Sequence, residues 1–186
     1  ELLSYKDSTW QKMKASGCKM IYSGAESGSD DMLRTMNKGG KASTHATIEF
    51  AKRPRAYGIV PELSFVLGNP PDPISDIETS IRFIREIKRV NPATEFILYI
   101  YAPVPLDGTL YENATKLGFH FPETLDEWTT PFWREFVTRR EARTPWVHRD
   151  AQRRVRDFER VLNAYYPTIT DTRLGGMRRA ILHSLS

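Results

Sequence analysis

The stretch that decides the fold is Cys18 to Ser29, C-K-M-I-Y-S-G-A-E-S-G-S, followed closely by Asn37-Lys38-Gly39. Its first part, Cys18 to Tyr22, is a short apolar run of the kind that forms a buried strand. Its second part breaks into small residues around one carboxylate, Glu26. Asp30 to Met36 then has the pattern of a helix. A strand that ends in Gly, Glu, Ser and Gly before a helix reads as a strand-end binding loop, because parallel α/β folds place ligands at the carboxyl ends of their strands. Gly24 and Gly28 allow close backbone approach, while Glu26, Ser27 and Ser29 supply polar atoms. Chemistry alone leaves Glu26 two roles, a ligand contact or a solvated loop carboxylate.

Outward from this loop the chain alternates. Leu2 to Ser16 has Leu3, Trp10 and Met13 at near-helical spacing, with Gly17 as its C-cap. Ser43 or Thr44 caps a further helix toward Tyr57, shortened or kinked by Pro54. Ile59 to Leu67 is the second strand. The loop Gly68-Asn69-Pro70-Pro71-Asp72-Pro73 follows, and Ser75-x-x-Glu78 reads as a capping box. The helix after it carries Ile77, Ile81, Ile84 and Ile87 as one apolar stripe, with Arg82, Arg85, Lys88 and Arg89 on a solvated face. Glu95 to Tyr101 is the third strand, Leu110 to Leu117 a short helix, and Gly118 its stop. Strands alternating with helices predict right-handed crossovers and a parallel sheet.

From Phe119 onward the composition shifts. Phe119, Phe121, Trp128, Phe132, Trp133, Phe136 and Trp146 form an aromatic segment, with Thr124-x-x-Glu127 as a helix start. Arg134 to Arg179 holds 12 arginines against 6 carboxylates, which accounts for the net charge of +4. Val155, Phe158, Val161, Leu162 and Tyr165 predict one amphipathic helix over Asp150 to Tyr165. The expected division is residues 1–119 for the α/β part and 120–186 for a mainly helical extension.

With 186 residues, 40% apolar and 27% charged, the chain suits a soluble globular domain. It has no membrane-length apolar run and no signal-peptide pattern at its start. One cysteine, Cys18, rules out an internal disulfide and fits a reducing compartment, so the cytoplasm is the expected location. His45, His120, His148 and His183 have no metal-ligand spacing. No P-loop, dinucleotide fingerprint or nucleophile elbow is present. The chain starts without a methionine inside a helical pattern, and three strands cannot close a barrel. It therefore reads as part of a longer protein.

The string G-A-E-S-G-S-D-D-M-L-R-T-M-N-K-G resembles the fourth strand and following helix of radical S-adenosylmethionine (SAM) enzymes, most closely the branch with a cobalamin (B12)-binding domain. The matching positions are Gly24, Glu26, Ser27, Gly28, Ser29, Leu33, Asn37, Lys38 and Gly39. The likeness extends from about Gly17 to Phe119. The family's second loop, G-x-P-G-E-T, is matched by Gly68 and Pro70 but not by Pro71, which stands at a glycine position. Gly108, Thr109, Leu110 and Tyr111 keep the third loop's G-T-x-L-Y with one residue fewer.

The resemblance implies strands four to six of a partial (β/α) barrel, with a mainly helical C-terminal extension. It implies a reductive cleavage of SAM at a [4Fe–4S] cluster for radical or methyl-transfer chemistry. The family's cluster-binding C-x-x-x-C-x-x-C motif is absent here, so those cysteines are expected upstream. The implied cofactor-binding residues are Gly24, Glu26, Ser27, Gly28 and Lys38 at the first loop, Val66 and Gly68 at the second, and Tyr101 and Ala102 at the third. The implied partners are the upstream half of the barrel, a cobalamin domain, a small-molecule substrate and an electron donor such as flavodoxin or ferredoxin. The alternative is a basic nucleic-acid-binding module, or an RNA-modifying member of the same family, that uses the arginine-rich tail. Acids alternating with those arginines favour a solvated helix face instead.

Overall fold

A computed structural model describes residues 2–36, 42–104, 108–138, 147 and 149–166. Its centre is a three-stranded, wholly parallel sheet in the order β1 (Met20–Glu26), β2 (Val60–Leu67), β3 (Glu95–Ile100). The register runs Met20 to Val60 through Gly24 to Ser64 on one side, and Glu62 to Glu95 through Leu67 to Ile100 on the other. The protein is thus a mixed α/β fold with helical crossovers between its strands. The first strand lies later than expected, starting at Met20 and reaching Glu26. The apolar run does not mark its end, because the pairing with β2 continues through Ser23 and Gly24.

Side chains alternate across a strand, and the two faces of this sheet differ in kind. Ile21 and Ala25 of β1, Leu63, Phe65 and Leu67 of β2, and Phe96, Leu98 and Ile100 of β3 point into one core. Helices cover that face: α1 (Asp7–Ala15) through Trp10, α3 (Thr44–Lys52) through Phe50 and Ala51, and α4 (Pro73–Val90) through its isoleucines. Ile77, Ile81, Ile84 and Ile87 are all buried, each stabilising by roughly 1.5–3 kcal/mol. The opposite face carries Tyr22, Gly24, Glu62, Ser64, Val66 and Tyr99, and it leaves Tyr22 57% and Tyr99 42% exposed.

Capping follows from particular side chains. Ser29 starts α2 (Asp30–Thr35) by accepting from the Met32 N–H, and Ser43 starts α3 by accepting from Ala46 N–H. Asp30 ties these two starts together, accepting from Thr44 N–H at 2.7 Å. The start of α4 corrects the expected capping box: Asp72, not Ser75, is the N-cap and accepts from the Ser75 N–H at 3.1 Å. Pro73 at the first turn makes that earlier start favourable. Pro54 ends α3 as expected, in a 3₁₀ turn Arg53–Tyr57. Gly17, Gly58 and Gly118 each take a positive φ after a helix or turn. After Gly17, Cys18 N–H bonds back to Met13 O and Gly17 N–H to Lys14 O, a Schellman closure that aims the chain into β1.

Beyond β3 come α5 (Thr109–Lys116), α6 (Leu125–Trp128), α7 (Pro131–Thr138) and α8 (Arg149–Tyr165). Thr124 and Glu127 form the expected capping box of α6. The last helix packs on α4 and β3, placing Ala151, Val155, Phe158 and Leu162 in the same core as the sheet. Val161 and Tyr165, expected on its apolar stripe, are 41% and 56% exposed. They lie at the margin of the buried face, whose centre line is Ala151, Val155, Phe158 and Leu162. Lys88 corrects the solvated-face reading of α4: it is 5% exposed, because the end of α8 and the start of β3 close over it.

Candidate functional site

Glu26 closes β1 in a conformation that a non-glycine residue seldom adopts. Its φ is 66°, and Ser27 N–H donates to Ala25 O at 2.8 Å across it, a γ-turn. The ladder to β2 is interrupted at the same place: Gly24 pairs with Ser64 and Glu26 with Phe65, which leaves Ala25 as the bulged residue. A bulge re-aims the side chain beside it. Here the result is that the Glu26 carboxylate folds back over Gly24. A Cβ at Gly24 would collide with Glu26 Oε1 and lie 3.1 Å from its Cδ. The carboxylate therefore stands over the open face of the sheet, beside Tyr22, whose hydroxyl shares a 2.9 Å hydrogen bond with Ser64 Oγ. A left-handed non-glycine residue costs about 1–3 kcal/mol, and such strain concentrates at ligand sites.

The next two residues turn the other way. Ser27 is fully buried, and its hydroxyl accepts from Ser29 N–H at 3.2 Å. Gly28 lies against α4: its N–H donates to Ser80 Oγ at 3.1 Å, and a Cβ there would come within 2.8 Å of both Ser80 Cα and Phe83 Cβ. The glycine is needed for helix–loop packing. Gly24 and Gly28, alike in the sequence, thus serve different neighbours.

At the end of β2, Gly68 takes φ 82° and its N–H donates to Asp76 Oδ2 at 2.8 Å. Sequence reasoning did not single out Asp76, a buried carboxylate in the first turn of α4. Its burial pushes the carboxyl up from the usual range, and the hydrogen bonds from Asn69 and Gly68 pull it back. No spacing in the sequence signals it, because the contact requires the loop to double back onto the helix that follows.

Val66, Tyr101 and Ala102 come together in a second cluster with Leu110, Ala114, Phe119 and Phe136, to which Met32 and Met36 of the first loop's helix also belong. Phe119 and Phe121 stack edge to face at 4.7 Å, and Trp133 packs against both. The ends of β2 and β3 therefore share one aromatic wall, which α2 joins through Met32 and Met36, and Tyr101 N–H donates to Leu67 O at 2.8 Å to join the second end to the third. Lys38 lies outside the described residues.

Among the described residues, no three His, Cys, Asp or Glu side chains gather as a metal would require. Cys18 is half-buried, and its thiol faces Met20 O at 3.4 Å. No helix among them is long and apolar enough to cross a membrane. On α8, Arg154 pairs with Glu78 at 2.7 Å, and Arg153 and Arg160 pair with Asp150 and Asp157.

These features define an α/β protein with an acidic group and an aromatic wall at the carboxyl ends of parallel strands. No family model matches the sequence. It is 26% identical over 84 residues to an uncharacterized methyltransferase of Pyrococcus horikoshii, a stretch that covers 45% of this chain and 18% of that protein. The chain thus spans less than a fifth of the relative's length.

Proposed function

We propose that this chain supplies the fourth to sixth strands of a radical SAM barrel and binds SAM at the ends of those strands, with residues 120–186 as a C-terminal extension. The observation that carries this reading is Glu26, bulged and left-handed, with its carboxylate laid over Gly24 on the open sheet face. A carboxylate there accepts hydrogen bonds from the ammonium or the ribose hydroxyls of SAM, and the ammonium bond is charge-assisted. Gly24 leaves room for that side chain. Val66, Gly68, Tyr101 and Ala102 offer backbone and apolar edges suited to an adenine ring. Ser27 and Gly28 contribute by holding the turn, since both face inward.

Bound SAM supplies an activated methyl group or, on reductive cleavage, a source of carbon radicals. The name of the Pyrococcus relative supports SAM use and favours methyl transfer as the outcome. The residues of this chain do not fit an iron–sulfur cluster, which is held by several cysteine thiolates, because Cys18 is the chain's one cysteine. The cluster is assigned to residues outside the chain, as is cobalamin in the methyl-transfer version of the proposal. The substrate, the electron donor and the cytoplasmic location belong to the same proposal.

The test uses the full-length gene product, reconstituted anaerobically with iron and sulfide. Release of 5′-deoxyadenosine or cobalamin-dependent methyl transfer is the expected result, and Glu26→Ala is expected to weaken SAM binding about tenfold or more. A protein that assembles no cluster and leaves SAM intact would refute the class. Unchanged affinity in Glu26→Ala would remove Glu26 from the site.

A further inference from the structure

Three donors converge on a single oxygen of Asp76. Gly68 N–H reaches Oδ2 at 2.8 Å, Asn69 N–H at 3.0 Å and the Asn69 side-chain amide at 3.0 Å. That amide's Nδ2 also donates to the carbonyl oxygen of Val66, at 2.7 Å. Two acceptors on the nitrogen fix which way the Asn69 amide points. Its oxygen is then buried without a donor, in a residue that is fully enclosed. An orphaned buried acceptor costs about 1–3 kcal/mol, and a leucine of similar shape would avoid that cost. The amide is explained by what its nitrogen holds.

What it holds is the last turn of backbone at the end of β2. Val66 O is tied by Asn69, Leu67 O accepts from Tyr101 N–H at 2.8 Å, and Gly68 N–H is tied by Asp76. Three successive backbone groups are thereby fixed around a glycine whose φ of 82° would otherwise leave the segment loose. The carboxylate that does this belongs to α4, a long helix seated on the core by its isoleucine stripe, so the turn is referenced to the packed core. Such support from behind a ligand-facing segment sets its geometry.

We infer that Asp76 and Asn69 are positioning residues, a clamp that sets the Val66–Gly68 backbone against the ligand without touching it. This rests on the SAM reading above, in which that backbone lines the adenine. The decisive variant is Asn69→Leu, which keeps the branched shape and both backbone bonds to Asp76 and removes the side-chain ties to Val66 O and to Asp76 Oδ2. In the full-length protein it is expected to weaken SAM binding about tenfold while the thermal midpoint changes little, because the orphaned acceptor passes from Asn69 Oδ1 to Val66 O. Asp76→Ala is expected to lose at least as much affinity, and Asp76→Asn, which keeps an acceptor oxygen, to stay within about threefold of the parent. Calorimetric titration with SAM reads the affinity, and amide exchange at Gly68 and Asn69 reads the clamp. Parental affinity in Asn69→Leu, alongside lost affinity in Glu26→Ala, would overturn the clamp and leave the SAM reading standing. A parental protein that binds no SAM would overturn both.

Discussion

Lys88 Nζ lies 4.3 Å from the ring centroid of Tyr166 and donates to Pro92 O at 3.1 Å, so one buried ammonium joins the ends of α4 and α8. The Phe96 ring stands 5.4 Å away on the β3 side. Burial pushes this amine down from 10.5 to about 8, with Glu95 acting in the opposite sense.

The consequence for stability has a definite sign. Between about pH 8 and 10.5 the folded protein holds fewer protons than the unfolded chain, so stability rises with pH across that window. Below it the penalty for the buried charge is fully present. Tyr57, pushed up from 10.0 by burial and by its bond to Asp7, opposes the trend at the top of the window. Urea midpoints measured at steps between about pH 8 and 10 are expected to climb in the parent and to stay level in Lys88→Met. A parental midpoint that falls over this range contradicts the account.

Gly24 and Gly28 are expected to separate in mutagenesis. Gly28→Ala forces a methyl group into Ser80 and Phe83 of α4 and is expected to cost about 1–3 kcal/mol. Gly24→Ala meets only the Glu26 side chain, which can swing aside. Its stability should stay within about 0.5 kcal/mol of the parent while SAM affinity drops about tenfold. Chemical denaturation and ligand titration on both variants decide the matter. Equal loss of stability in the two would show that Gly24 also packs.

Glu26 offers a comparison of two truncations. Glu26→Gly and Glu26→Ala both remove the carboxylate, but only glycine accepts φ 66° without strain. The glycine variant is expected to be more stable by about 1 kcal/mol, with both variants equally poor at binding SAM. Matching unfolding midpoints would mean that the turn relaxes when the side chain is lost.

Phe158 tests how α8 belongs to the rest. It is buried in the core that the sheet and α4 share, with the Arg85 guanidinium 5.6 Å from its ring centroid. Phe158→Ala is expected to cost about 3–5 kcal/mol and to lower a single transition that includes the sheet. A separate early transition, with the sheet's own unfolding unmoved, would show that the helix is dispensable to it.

The sequence makes legible whatever depends on short-range periodicity. The isoleucine stripe of α4 and the Val155, Phe158 and Leu162 line of α8 declare themselves by spacing and are buried, while the run of β3 forms the expected strand but is only half-buried, with Tyr99 exposed. Lys88 escaped because its burial comes from α8 and β3, distant in the chain and silent in the spacing of α4. The Ser75 capping box lost to Asp72 because Pro73 permits an earlier start. At the site, Glu26 was visible as a lone carboxylate among small residues. Its left-handed backbone was not, since glutamate is no residue for φ 66° and the turn exists through pairing with β2. The Asp76–Asn69 contact was hidden for a similar reason: it needs the loop to double back onto the helix that follows.

The two-faced sheet has a further consequence for how this protein can change over time. Along β2, Leu63, Phe65 and Leu67 hold the fold, while Glu62, Ser64 and Val66 between them look onto the other side. In the SAM reading proposed above, stability and recognition are therefore written on alternate letters of the same word. Selection for a new ligand can rewrite every second residue and leave the core unread, so tolerance to substitution along β2 should oscillate with a period of two.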